Sequence, residues 1–77
     1  MIVEILTPER LLYKGEATAI TLPGVKGKFQ VLEHHASIIS LLTEGEIVLV
    51  NGKETKNIAI VGGTIEFNHN KAIILAD

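Results

Sequence analysis

Glu33-His34-His35, with Ser37 and Ser40 just beyond, is where the chain gathers its reactive side chains most densely. A carboxylate beside two imidazoles suggests a metal, and a serine near a histidine suggests a nucleophile and its base. Neither chemistry is well served by this spacing. In an extended chain neighbouring side chains point to opposite faces, so His34 and His35 are poorly placed to share one ion. His69 is the only other histidine, and no cysteine offers a thiolate. Ser37 and Ser40 lack an acid partner in a recognisable motif, so a small hydrolase built on Ser40 and His35 is the weakest of the possible functions. Glu44 and Glu46 flank Gly45 on one strand parity, which suits two solvated turn charges better than an acid–base pair. Gly24-Val25-Lys26-Gly27 is a lone short glycine pair and reads as a turn between strands. Walker, dinucleotide, nucleophile-elbow and zincin motifs are all missing. No cofactor is expected. On residues alone the chain is a binding or structural module and not an enzyme.

These residues sit among short apolar segments separated by turn signals. Ile2–Leu6 is a strand ended by Thr7-Pro8, since proline cannot donate to a ladder. Leu11–Tyr13 and Glu16–Leu22 read as two strands around Lys14-Gly15. The Ala17, Ala19, Thr21 face of the second suggests close approach of another sheet. Pro23-Gly24 closes that segment. Lys28–Leu32 places Phe29 and Val31 on one face and Lys28, Gln30 and Leu32 on the other. Ile38, Ile39, Leu41 and Leu42 fit a strand and also one face of a short helix; β-branching and flanking turns favour the strand. Asn51-Gly52 after Glu46–Val50 is a strong hairpin signal, pairing Val50 with Lys53 and Ile47 with Lys56. Lys53–Lys56 is a guarded outer strand, and Ile58–Val61, apolar throughout, is expected to be buried. Thr64–Phe67 alternates with Ile65 and Phe67 inward, and Lys71–Leu75 is the last segment. Ten short strands spaced by turns predict an all-β sandwich or barrel.

Seventy-seven residues make one domain, spanning 1–77. A chain of that size hides only about 60 % of its unfolded surface, so a partner that holds the fold would add stability. A net charge of −2 with scattered cations and three aromatic residues argues against a nucleic-acid partner. The apolar runs are too short to span a bilayer, and Met1-Ile2-Val3-Glu4 lacks the pattern of a secretion signal. A soluble, intracellular protein is expected.

Four blocks of sequence, taken in order, resemble a known family. They are Thr7-Pro8-Glu9-Arg10 with Leu12–Glu16, then Thr21–Gly24, then Gly27–Leu32 with His35-Ala36 and Leu41, and finally Gly62-Gly63, Ile65–Phe67 and Leu75-Ala76-Asp77. Together they resemble the amino-terminal β-sandwich domain of the epsilon subunit of the rotary ATP synthase (delta in mitochondria), over essentially the whole chain. Lys28 stands where the family usually has an acidic residue, Gln30 where it has glycine, and Glu33-His34 where it has Pro-Gly. The resemblance implies a two-layer β-sandwich and a non-catalytic rotor subunit of the central stalk. Such a subunit links the gamma subunit to the membrane c-ring and, indirectly, to the alpha/beta hexamer, so that ion flow is coupled to ATP synthesis. It would lie at the cytoplasmic face of the cell membrane without inserting into it. Carried over by position, Val25, Lys26, Lys28 and Glu33 would meet the c-ring, and Thr7, His35 and Ser40 would lie towards gamma. Family members commonly continue past the Leu-Ala-Asp block into a two-helix domain that restrains ATP hydrolysis; this chain, which stops at Asp77, is expected to lack that hairpin and its inhibition. The alternative is a free-standing β-sandwich that binds another protein or a carbohydrate.

Overall fold

The computed structural model describes residues 1–77. Nine strands follow one another without a helix: β1 (Ile2–Leu6), β2 (Leu11–Glu16), β3 (Ala19–Gly24), β4 (Gly27–Leu32), β5 (Ile38–Leu42), β6 (Gly45–Asn51), β7 (Glu54–Ile60), β8 (Gly63–Asn68) and β9 (Lys71–Ala76). β2-β1-β9-β8-β5 form one layer, β4-β3-β6-β7 the other, and β5 meets β3 at a corner. All pairings are antiparallel except β1 with β9.

Alternation selects what lies between the layers. Val3 and Ile5, Ile20 and Leu22, Ile47 and Leu49, Ile65 and Phe67, and Ala72 and Ile74 all point inward, joined by Val31, Leu42 and Ile60. No polar side chain is buried. On one open side of the sandwich, Lys56 Nζ lies 5.3 Å from the Tyr13 ring centroid, laying a long side chain over the seam between β2 and β7.

The two-layer all-β architecture matches the sequence expectation, with several local corrections. There are nine strands, not ten, because Lys53–Lys56 and Ile58–Val61 merge into β7. Lys14-Gly15 lies within β2 and does not divide two strands, and Pro23-Gly24 ends β3 as strand, leaving Val25-Lys26 to turn. The β6–β7 turn falls on Gly52-Lys53, pairing Val50 with Thr55 and Ile47 with Ile58. Gly52 alone takes positive φ there (63°), the sign pattern of a type II′ turn. This two-residue shift keeps every side chain on its face and puts Ile47 opposite Ile58 instead of Lys56. Ile58–Val61 is not buried throughout: β7 is an edge strand, so Ile60 is buried while Ala59 and Val61 face solvent. In β3 it is Ile20 and Leu22 that pack against the other layer, and Ala19 and Thr21 that lie on the outer side. Ile38–Leu42 is a strand, with Leu42 inward and Ile39 and Leu41 outward.

Candidate functional site: two ends and an apolar outer face

Strand direction gives the sandwich two ends. At one end lie the Val25-Lys26 turn, the Thr7–Arg10 turn and the Ala76-Asp77 terminus of β9, grouped around an open cleft of about 590 Å³ lined by Leu6, Pro8, Val25, Leu41, Leu75 and Asp77. At the other end lie Met1, Glu33, His34, His35, His69 and Asn70.

The first end carries three of the four residues expected at the ring. Gly24 pairs with Gly27, so Val25 and Lys26 are the two central residues of a tight hairpin, and Lys28 follows on the outer side of β4. All three are exposed, and neither lysine is ion-paired. Gly24 is required by close approach: a Cβ there would lie 2.7 Å from the Gly27 carbonyl oxygen. Backbone bonds from Val25 N–H to Leu41 O (3.1 Å) and from Thr43 N–H to Pro23 O (2.8 Å) fix the hairpin to β5.

Glu33, the fourth, is a full strand length away at the other end of β4. Its Oε1 accepts from the Met1 α-amino group and its Oε2 from Asn70 Nδ2 at 3.1 Å. The bond from that ammonium, then the one from Asn70, hold its carboxyl below the usual carboxylate range. Asn70 Oδ1 also accepts from His34 N–H at 2.8 Å. His34, His69 and Asn70 all take left-handed φ (61°, 51° and 56°), so this end is a tightly turned polar cap.

Thr7, His35 and Ser40 are not gathered at one point. Thr7 Oγ1 accepts from Arg10 N–H at 3.1 Å and shapes the β1–β2 turn at the first end. His35 sits at the second end, its ring edge-on to Phe67 with centroids 6.1 Å apart and Nδ1 2.7 Å from the Ala36 carbonyl oxygen. Ser40 lies between them on β5, half-buried on its inner side opposite Ile65. No hydrogen bond joins either Ser37 or Ser40 to a histidine; Ser37 Oγ donates to Asn68 Oδ1 at 2.8 Å. No group of three or more histidine, aspartate or glutamate side chains is gathered as a metal centre would need.

One apolar surface feature lies outside the sequence expectations. Leu11, Leu6, Leu75, Thr64 and Leu41 stand opposite one another in successive strands on the outer face of the five-stranded layer. Four strand spacings make this row about 19 Å long. Leu41 is 61 % exposed and Leu75 55 %, and Ile39, at 77 %, lies beside the row. The available signal was the pairing of apolar neighbours in Ile38-Ile39, Leu41-Leu42 and Ile73-Ile74-Leu75, which gives these strands two apolar faces where one suffices for a sandwich.

Comparison with known proteins places this arrangement. The chain is 39 % identical over 75 residues to the ATP synthase epsilon chain of Leptospira borgpetersenii, covering 97 % of this chain and 59 % of that one. With the ATP synthase epsilon chain of Sulfurimonas denitrificans it shares 41 % identity over 75 residues, covering 96 % and 58 %. The chain thus spans about three fifths of the length of these curated relatives. Its fold superposes with a TM-score of 0.90 on a chain of the Euglena gracilis mitochondrial ATP synthase (OSCP, F1 and c-ring), at 23 % identity and covering 99 % of this chain and 49 % of that one. The family model for the ATP synthase delta/epsilon chain β-sandwich domain matches residues 1–77, and the chain belongs to that family.

Proposed function

We propose that this domain is a non-catalytic part of the central stalk of a rotary ATP synthase, held between the gamma subunit and the membrane c-ring. In this role it would turn with both and couple ion flow to ATP synthesis in the alpha/beta hexamer. The single observation that carries the reading is the leucine row. An open apolar face about 19 Å long on so small a domain calls for a cover. Thr7 and His35 mark the two ends of the five-stranded layer, so a gamma subunit laid along its outer face would pass both, whereas Ser40, on the inner side of β5, would lie behind that contact. Val25, Lys26 and Lys28 would meet the ring. Glu33, engaged with Met1 and Asn70 at the opposite end, would not share that contact.

The mechanical demand is stiffness, and a body whose buried core is wholly apolar and whose corner is tied by paired backbone bonds meets it. The complex would lie peripherally at the cytoplasmic face of the cell membrane. Affinity-tagged protein recovered from its host is the test. Co-recovery of gamma, c-ring, alpha and beta subunits supports the stalk; recovery of the chain without them leaves the free-standing binding module as the better reading.

A further inference from the structure

We propose that the Val25–Lys28 hairpin tip docks on a carboxylate-bearing protein surface, so that the contact with the ring is an attraction between lysines on this side and acidic side chains on the other. The inference rests on the stalk reading above and adds the sign of the charge. Lys26 projects from the turn and Lys28 from the outer side of β4, and both lack a carboxylate partner in the fold. Lys14 and Lys71, by contrast, both lie near Glu4 (4.0 and 3.4 Å). Arg10, Lys53 and Lys56 are also without a salt bridge, but Arg10 lies among carboxylates, Lys56 lies over the Tyr13 ring and Lys53 adjoins Glu54. The tip is therefore where two unspent positive charges stand together on a chain of net charge −2. Val25, 54 % exposed, and Leu41 are joined beside it by a backbone bond, which gives the two charges an apolar anchor.

A guard role against strand pairing accounts for Lys28, which stands on an edge strand. It does not account for Lys26, which is in the turn and protects no ladder. Across the same end, Glu9, Glu44, Glu46 and Asp77 surround a cleft of about 690 Å³ in which Arg10 is the only cation. The end is thus split into a basic half and an acidic half, and a partner must present its carboxylates to the hairpin side alone. Two lysines are too few for a phosphate backbone or an anionic lipid surface, where clusters of about four to eight are the rule. A protein surface with fixed carboxylates fits two cations and an apolar anchor better.

The test titrates the complex of this chain with its gamma subunit against detergent-solubilised c-ring from the same organism. Salt is varied from about 0.01 to 1 M, over which the Debye length falls from about 30 to 3 Å. Lys26→Glu and Lys28→Glu are each expected to weaken binding about threefold or more at low salt, with the difference vanishing at high salt. Lys28→Glu retains a charge, so the edge guard is kept, and unchanged binding to gamma by both variants would show that the fold is intact. Lys53→Glu, with the same change in net charge at the opposite end, is expected to change nothing. Lys28→Arg should bind as the unaltered protein does. Equal binding by all variants, or tighter binding by the glutamate variants, would overturn the acidic partner while leaving the stalk standing. No ring binding by the unaltered complex would sink the stalk reading and the charge assignment together. Salt-sensitive retention on phosphatidylglycerol vesicles, with none on the ring, would reassign the tip to lipid.

Discussion

Gly24 pairs with Leu42, and that single register pair is where β3 of one layer meets β5 of the other. The bonds on either side of it, Val25 N–H to Leu41 O and Thr43 N–H to Pro23 O, make the corner a short length of continuous sheet. In the stalk proposed above, torque crossing from the hairpin tip to the leucine row would pass through this corner. Gly24→Ala would push a methyl group to 2.7 Å from the Gly27 carbonyl oxygen and 2.8 Å from the Phe29 ring. Overpacking of this kind costs about 1–3 kcal/mol. The expected outcome is a lower urea midpoint together with weaker ring binding by any protein that remains folded.

Gly63 makes a different demand. Its φ of 146° is one that side chains rarely adopt, and a Cβ there would overlap the Leu75 carbonyl oxygen on the adjoining strand. Neither the β8 nor the β9 backbone can yield without breaking the ladder that supports the leucine row. Gly63→Ala should therefore destabilise more than Gly24→Ala, whose clash includes a ring able to turn. For a domain of this size each kcal/mol lowers Tm by about 4–8 °C, so parallel thermal melts of the two variants give the ranking.

Most of the fold was legible because the alternation is regular: Thr64–Phe67 and Lys28–Leu32 show which face is buried without any knowledge of their neighbours. The misreadings share a cause. At Asn51-Gly52 the dipeptide rule favours a turn with those two residues at its centre, but pairing Ile47 with Ile58 sets two apolar side chains opposite each other and moves the turn on to Gly52-Lys53. The composition of Ile58–Val61 does not reveal that one face of its strand is turned to solvent, which leaves Ala59 exposed beside buried Ile60. The leucine row depends on the spatial order β2-β1-β9-β8-β5, which brings together residues as far apart as Leu6 and Leu75. A linear pattern shows that β5 and β9 each have two apolar faces; only strand order shows that four outer leucines line up across β2, β1, β9 and β5, with Thr64 of β8 between Leu75 and Leu41. In the sequence Glu33 is a carboxylate beside two imidazoles; only the fold brings Met1 and Asn70, its actual partners, beside it.

Acid should loosen the second end first. The folded state holds the Glu33 carboxyl below its ordinary value, chiefly through the Met1 ammonium. Its contribution to stability is therefore complete above the unfolded-state pKa, and it is lost as pH falls through the lower folded-state value. Thermal melts of the unaltered protein should fall as pH drops below the ordinary carboxylate range, and Glu33→Gln should lower Tm at neutral pH while removing part of that acid dependence. Identical pH profiles for the two proteins would mean that the contact is idle in solution.

The outer leucines should be separable from stability. Leu41 and Leu75 point away from the core, whereas their neighbours Leu42 and Ile74 are at most 4 % exposed. Replacing both outer residues with serine removes apolar surface that the isolated domain leaves in water. Such changes usually move stability by about 0.5 kcal/mol or less. Leu42→Ala and Ile74→Ala, one position along on the same strands, should each cost about 2–5 kcal/mol. Capture of the gamma subunit is expected to show the reverse ranking, with Leu41→Ser/Leu75→Ser abolishing it in a protein whose Tm has scarcely changed. The two readouts would oppose each other because β5 and β9 each use one face to hold the sandwich together and, in the proposed stalk, would use the other to be held. Retention of gamma by the double serine variant would show that the row is not the gripping surface, and would move the gamma contact to the inner side of β5 around Ser40.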